Sequence, residues 1–168
     1  LFFYSKYYLP LLSNPSPHLN QPGNMGKVRN ILQVKGHTIY SINPDRTVYN
    51  ALQLMVEKNL GALLVVENNQ LTGIFTERDY ARKLIIKGKA SKDTTIREVM
   101  TERPITVTPE DSVDFCMTIM VDNYVRHLPV MDQNQLIGLI SIGDVVKYIM
   151  DEQRFSIQSL EHYIADSK

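Results

Sequence analysis

Two segments of the chain set a hydroxyl residue three positions ahead of an aspartate: Gly73-Ile74-Phe75-Thr76-Glu77-Arg78-Asp79 and Gly138-Leu139-Ile140-Ser141-Ile142-Gly143-Asp144. A Thr or Ser at a strand-to-helix junction, with an acid three residues on, satisfies early backbone N–H groups as a capping box. The same carboxylate presents two acceptor oxygens to any ligand with paired O–H donors. The residues alone leave both roles open, and one group can fill both. Cationic side chains near the two segments are unequally shared. Arg126-His127 stands ahead of the second segment where Gly61-Ala62 stands ahead of the first, while Arg78, Arg82 and Lys83 follow Thr76 on what reads as a helix. The arginine fork matches phosphate oxygens, and an imidazole adds a hydrogen bond.

Other chemistries find no residues. His18, His37 and His162 lack ligand-spaced partners, and no HExxH, CxxC, P-loop or GxGxxG pattern occurs, so neither a metal nor a catalytic cofactor is expected. No Ser-His-Asp order is present, so catalytic residues are expected to be none and the chain is read as a non-enzyme. The single Cys116 cannot form an intrachain disulfide, which favours a reducing compartment, taken as the cytoplasm.

The chain has 168 residues, 43% apolar and 21% charged, with 18 basic residues against 18 acidic, and so can bury a core. Zero net charge gives no global field toward nucleic acid or an anionic membrane. Locally, residues 78–103 hold eight basic and four acidic residues, and residues 104–168 four basic and ten acidic. Without a stacking set of aromatics or a recognition-helix pattern, nucleic acid is not an expected partner. No apolar run approaches the roughly 18 residues of a spanning helix, so no membrane partner is expected.

The elements that must position these groups repeat. Pro44 to Leu84 overlays Pro109 to Ile149 without a gap at an offset of 65 residues, with eleven of 41 positions identical, among them Val48/Val113, Met55/Met120, Leu63/Leu128, Gly73/Gly138 and Asp79/Asp144. Each copy reads as strand, helix, strand, strand, helix. In the second copy these are Ile105–Val107, a helix capped by Ser112, a hairpin across Asp132-Gln133-Asn134-Gln135, and a helix from about Ile142 to Met150. A unit of about 60 residues is marginal alone, so two copies are expected to share a core about an approximate two-fold axis, with paired clefts between them.

The duplicated order, carried by INPDRTVYNALQLMVEKNLGALLVVENNQLTGIFTERD and ITVTPEDSVDFCMTIMVDNYVRHLPVMDQNQLIGLISIGD, resembles a tandem cystathionine-beta-synthase-type (CBS) domain pair, or Bateman module, over about residues 28–152. The resemblance implies an α+β fold of two pseudo-two-fold-related β-α-β-β-α repeats sharing one core, assembled as a disc-like homodimer. It implies a non-catalytic sensor of AMP, ADP, ATP, NAD or S-adenosylmethionine, acting on a partner protein yet to be identified. On this reading Asp79 and Asp144 accept from ribose hydroxyls and Thr76 or Ser141 touches the sugar. Arg126 and His127, with Arg78, meet the phosphate in the cleft of Asp79. The cleft of Ser141 and Asp144 is expected to be weaker or empty. By analogy adenine slots among Tyr40, Ala62, Ile105 and Pro129, and Lys35 reaches a phosphate.

The domain reading is residues 1–24 as an extension or tag expected to be disordered, 28–90 as repeat 1, 91–103 as linker, 104–152 as repeat 2 and 153–168 as a terminal helix. The first 24 residues are aromatic and apolar, then rich in Pro and Asn, without Asp or Glu. Phe155, Ile157, Leu160 and Ile164 approximate one helical face, expected to dock on the core or on a second copy. Ligand binding is expected to act by linkage, changing the packing of repeats or of a dimer. The rival is a ligand-independent interaction module in which the Thr76-Glu77-Arg78-Asp79 segment is only a helix cap.

Overall fold

The computed structural model describes residues 26–166; residues 1–24, set apart above, lie outside them. Two hairpins carry the repeat. Strands β2 (Ala62–Glu67) and β3 (Gln70–Thr76) turn through Asn68-Asn69, with φ of 50° and 62°. Strands β5 (His127–Asp132) and β6 (Gln135–Ser141) turn through Gln133-Asn134, with φ of 45° and 65°. Positive φ at both central residues gives the hairpin turn whose twist suits its strands, and asparagine tolerates it. Helix α2 (Val48–Lys58) starts at Thr47, which accepts from the Asn50 amide, and α4 (Val113–Asp122) starts at Ser112, which accepts from the Phe115 amide. Their buried faces correspond one to one: Val48, Ala51 and Met55 against Val113, Cys116 and Met120.

The first sheet has the order β1-β2-β3-β4, with β1 (Ser41–Ile42) parallel to β2 and β4 (Thr101–Glu102) antiparallel to β3. The second holds only β5 and β6. The strand expected at Ile105–Val107 shrinks to one bridge between Val107 and Val130. In the first half the Leu64 amide donates to the Tyr40 carbonyl. The corresponding residue of the second half is Pro129, which has no N–H to give to Ile105.

The two halves exchange their opening segments. Helix α1 (Val28–Lys35) stands before the first repeat, yet its buried Val28, Ile31 and Leu32 pack among Val113, Cys116, Leu128, Val130, Ile140 and Val145 of the second. The segment before the second repeat, a 3-10 turn at Ile96–Glu98 followed by Val99 and Met100, packs among Val48, Met55, Val65 and Phe75 of the first. The hydrogen bonds match as closely. Val28 and Arg29 amides donate to the carbonyls of Asp111 and Pro109, while Ile96 and Arg97 amides donate to those of Arg46 and Pro44. Arg29 pairs with Glu110, and Arg97 with Asp45 and Glu67. This correspondence is the pseudo-two-fold relation written in bonds.

Residues 91–103, read from sequence as a linker, therefore belong to the packing of the first half. The apolar interior is one cluster per half, each closed by the other's opening segment, with Ala62, Leu64 and Ile74 forming a third in the seam. Beyond β3, the helical turn α3 (Glu77–Asp79) runs into a π-helical stretch, Tyr80–Ile85. Beyond β6, α5 runs unbroken from Ile142 to Asp166. The expected break after Met150 does not occur, because neither Gly nor Pro stands between Asp144 and Asp166. Of the face expected to dock, Phe155, Ile157 and Ile164 are exposed, and the Leu160 side chain lies outside what the structure describes.

Candidate functional site

Strand β3 delivers Thr76 to the start of α3, and the capping box forms. The Thr76 hydroxyl accepts from the Asp79 amide at 3.2 Å, and Asp79 Oδ2 accepts from the Thr76 amide at 3.0 Å and hydroxyl at 2.7 Å. The other oxygen is also engaged. Asp79 Oδ1 accepts from the Thr101 hydroxyl at 2.9 Å and pairs with Lys83 Nζ at 2.8 Å. Asp79 is buried, at 7% exposure, and Lys83 donates on to the Met100 carbonyl at 3.0 Å. The carboxylate thus ties the helix start to the exchanged segment.

These groups form one wall of a cavity of about 350 Å³ at the junction of the halves. Ile74, Thr76, Arg78, Asp79, Arg82, Lys83 and Thr101 line it from one side, and Asn123 to His127, just ahead of and into β5, from the other. Seven residues singled out from sequence, Thr76, Arg78, Asp79, Arg82, Lys83, Arg126 and His127, meet here. Arg78 donates to the Tyr124 carbonyl, and among the described residues neither Arg82 nor Arg126 enters an ion pair. Burial, helped by neighbouring Arg126 and Lys35, pushes His127 down from its ordinary 6.5 to about 4. At neutral pH it is an uncharged donor and acceptor.

The second cleft repeats the cap and not the surroundings. Asp144 Oδ2 accepts from the Ser141 amide and hydroxyl, both at 2.7 Å, but Lys35 Nζ from α1 lies 2.6 Å away and also donates to the Leu139 carbonyl. Burial pushes the Asp144 carboxyl up, and the Lys35 and Ser141 bonds outweigh it and hold it below the ordinary carboxylate value. Lys35 and Asp144 open on a groove of about 310 Å³ lined also by Lys147, Tyr148, Asp151 and Glu152. Gly61 and Gly143 stand where the first cleft has Arg126 and Arg78.

The proposed base slot does not line the cavity: Ala62 and Pro129 are buried, and Tyr40 and Ile105 are partly exposed elsewhere. Thr101 and Tyr124 are lining residues that the repeat pattern does not reveal. Among the described residues, no group of three His, Cys, Asp or Glu could hold a metal, and no helix is long and apolar enough to cross a membrane.

Comparison with known proteins decides the family. The CBS domain model matches residues 32–86 and again 96–151. The chain belongs to the CBS domain family. As a CBS pair it is a regulatory module, and its α+β fold is that of solved pairs. It is 48% identical over 125 residues to the CBS domain-containing protein CBSX3, mitochondrial, of Arabidopsis thaliana, covering 71% of this chain and 61% of that relative. A putative signal-transduction protein with CBS domains from Burkholderia ambifaria is 47% identical, with a TM-score of 0.73 over 76% of this chain and 96% of that one. The CBS pair of protein MJ0100, solved with 5-methylthioadenosine and S-adenosyl-L-methionine, shares the fold at 23% identity and a TM-score of 0.68, covering 76% of this chain and 98% of that one.

Proposed function

We propose that this CBS pair is a non-catalytic sensor of an adenosyl ligand such as AMP, ADP, ATP or NAD, held in the cleft of Thr76, Asp79, Arg126 and His127. The observation that carries the reading is the convergence of arginines from both repeats and a capped aspartate on one cavity of about 350 Å³. A carboxylate suits a ribose diol because its oxygens only accept, and a diol at Asp79 takes the place of the Thr101 and Lys83 contacts on Oδ1. The MJ0100 pair, of the same fold, was solved with two adenosyl compounds; the assignment to this chain rests on its own side chains.

Binding at the junction alters the relative packing of the halves, or of a homodimer, and a partner protein reads the change through differential affinity. The compartment is the cytoplasm or, following the Arabidopsis relative's name, a mitochondrial one. A scaffold module that needs no ligand is the second reading, favoured by capping boxes that are complete on their own. Thermal shift separates the two. At a hundredfold excess over its dissociation constant a true ligand stabilises by about 2.7 kcal/mol. No shift with AMP, ADP, ATP, NAD or S-adenosylmethionine, in protein shown by mass spectrometry to carry no co-purified nucleotide, removes the sensor reading.

A further inference from the structure

The charge inventory of the first cavity narrows the ligand class, and the inference rests on the adenosyl reading above. Arg78, Arg82, Lys83 and Arg126 line the cavity, and Asp79 is its one acid. Lys83 and Asp79 neutralise each other at 2.8 Å. Three guanidinium groups remain, and none enters an ion pair among the described residues. Arg78 and Arg82 also stand four residues apart, a spacing at which like charges on a helical segment repel. The second groove, on the same fold, holds Lys35 and Lys147 against Asp144, Asp151 and Glu152. The cationic excess is therefore a property of one cleft and not of the architecture.

A single phosphate carries about two negative charges and is served by one or two arginine forks. A third guanidinium facing the same space adds a charge that one phosphate does not balance and a chain of linked phosphates does. We propose that the cavity selects an adenosyl ligand bearing two or more linked phosphates, over a monophosphate and against a cationic sulfonium such as S-adenosylmethionine. Arg78 and Arg82 come from the β3 side and Arg126 from the β5 side, so a phosphate chain in the cavity meets cations of both halves.

The test is titration calorimetry in magnesium-free buffer with adenosine, AMP, ADP, ATP, S-adenosylmethionine and inorganic tripolyphosphate. ADP and ATP are expected to bind at least about tenfold more tightly than AMP, and S-adenosylmethionine more weakly than AMP. Arg82→Gln should narrow the gap by weakening ATP more than AMP, while Lys87→Gln, exposed and outside the cavity, leaves the gap as it is. AMP binding as tightly as ATP, or S-adenosylmethionine as tightly as ADP, overturns the charge selection and leaves the adenosyl reading standing. Tripolyphosphate binding as tightly as ATP overturns the adenosyl reading instead, and the proposal as stated with it.

Discussion

Around Asp79 and around Asp144 the chain builds the same cap with different company. In both, the hydroxyl residue and the aspartate exchange the same hydrogen bonds, so that part of the motif is architecture. The companions differ. The first cleft gathers arginines from both halves, and the second places Lys35 on its carboxylate and faces Asp151 and Glu152. The fold therefore supplies both caps, and the side chains laid over it give the two places different charge.

The largest expected effect is on Asp79. Asp79→Ala strands Lys83 and Thr101 beside a buried space and should cost about 3 kcal/mol by urea denaturation, with loss of ligand-induced stabilisation. Asp144→Ala, whose side chain is 23% exposed, should cost about 1 kcal/mol. Equal costs would break the comparison.

Next comes a transplant. A Cβ at Gly61 would sit 3.6 Å from the His127 ring, and one at Gly143 3.6 Å from the Ser141 hydroxyl, both ordinary contacts. The double change Gly61→Arg and Gly143→Arg should give the second cleft measurable ADP affinity, read as an increase in calorimetric stoichiometry. An unchanged stoichiometry would show that Lys35, rather than missing arginines, closes that cleft.

His127 sharpens the contrast by pH. Its folded value, about 4, lies below its ordinary 6.5, so the unfolded chain binds its proton first as pH falls. This contribution is complete above 6.5 and is lost as pH drops toward 4. The loss from Asp144, held below the carboxylate range, falls at lower pH still. His127→Gln should flatten the melting temperature between pH 6.5 and 4, and an unaltered slope there would remove His127 as its cause. The smallest effect is on the caps. Thr76→Ala and Ser141→Ala should each cost about 1 kcal/mol, measured by chemical denaturation, since both make the same bonds.

The residues of the candidate site were legible partly from what the repeats share and partly from where they differ. Thr76 and Asp79 follow from their spacing, and Arg126-His127 stands out because the other copy has Gly61-Ala62. Thr101 was not legible, because it arrives with the exchanged segment. That segment has a trace in sequence: Val28, Arg29, Ile31 and Leu32 match Ile96, Arg97, Val99 and Met100 at an offset of 68, three residues out of step with the rest. A gapless overlay at 65 passes over it. The shrunken strand at Ile105 turns on a single missing N–H at Pro129, and the continuous α5 on the absence of any breaking residue. The base slot was carried over by analogy, and none of its four residues lines the cavity, Ala62 being packed in the seam.

The exchange also sets a schedule for synthesis. The core of the first half is contiguous, from Ile42 to Met100, and can close soon after those residues leave the ribosome. The core of the second half runs from Val28 to Val145, so its first helix is made before the first half and must wait, apolar face open, until β5, β6 and the start of α5 exist. During that interval the open face of α1 is accessible to proteases and to neighbouring chains on the same message.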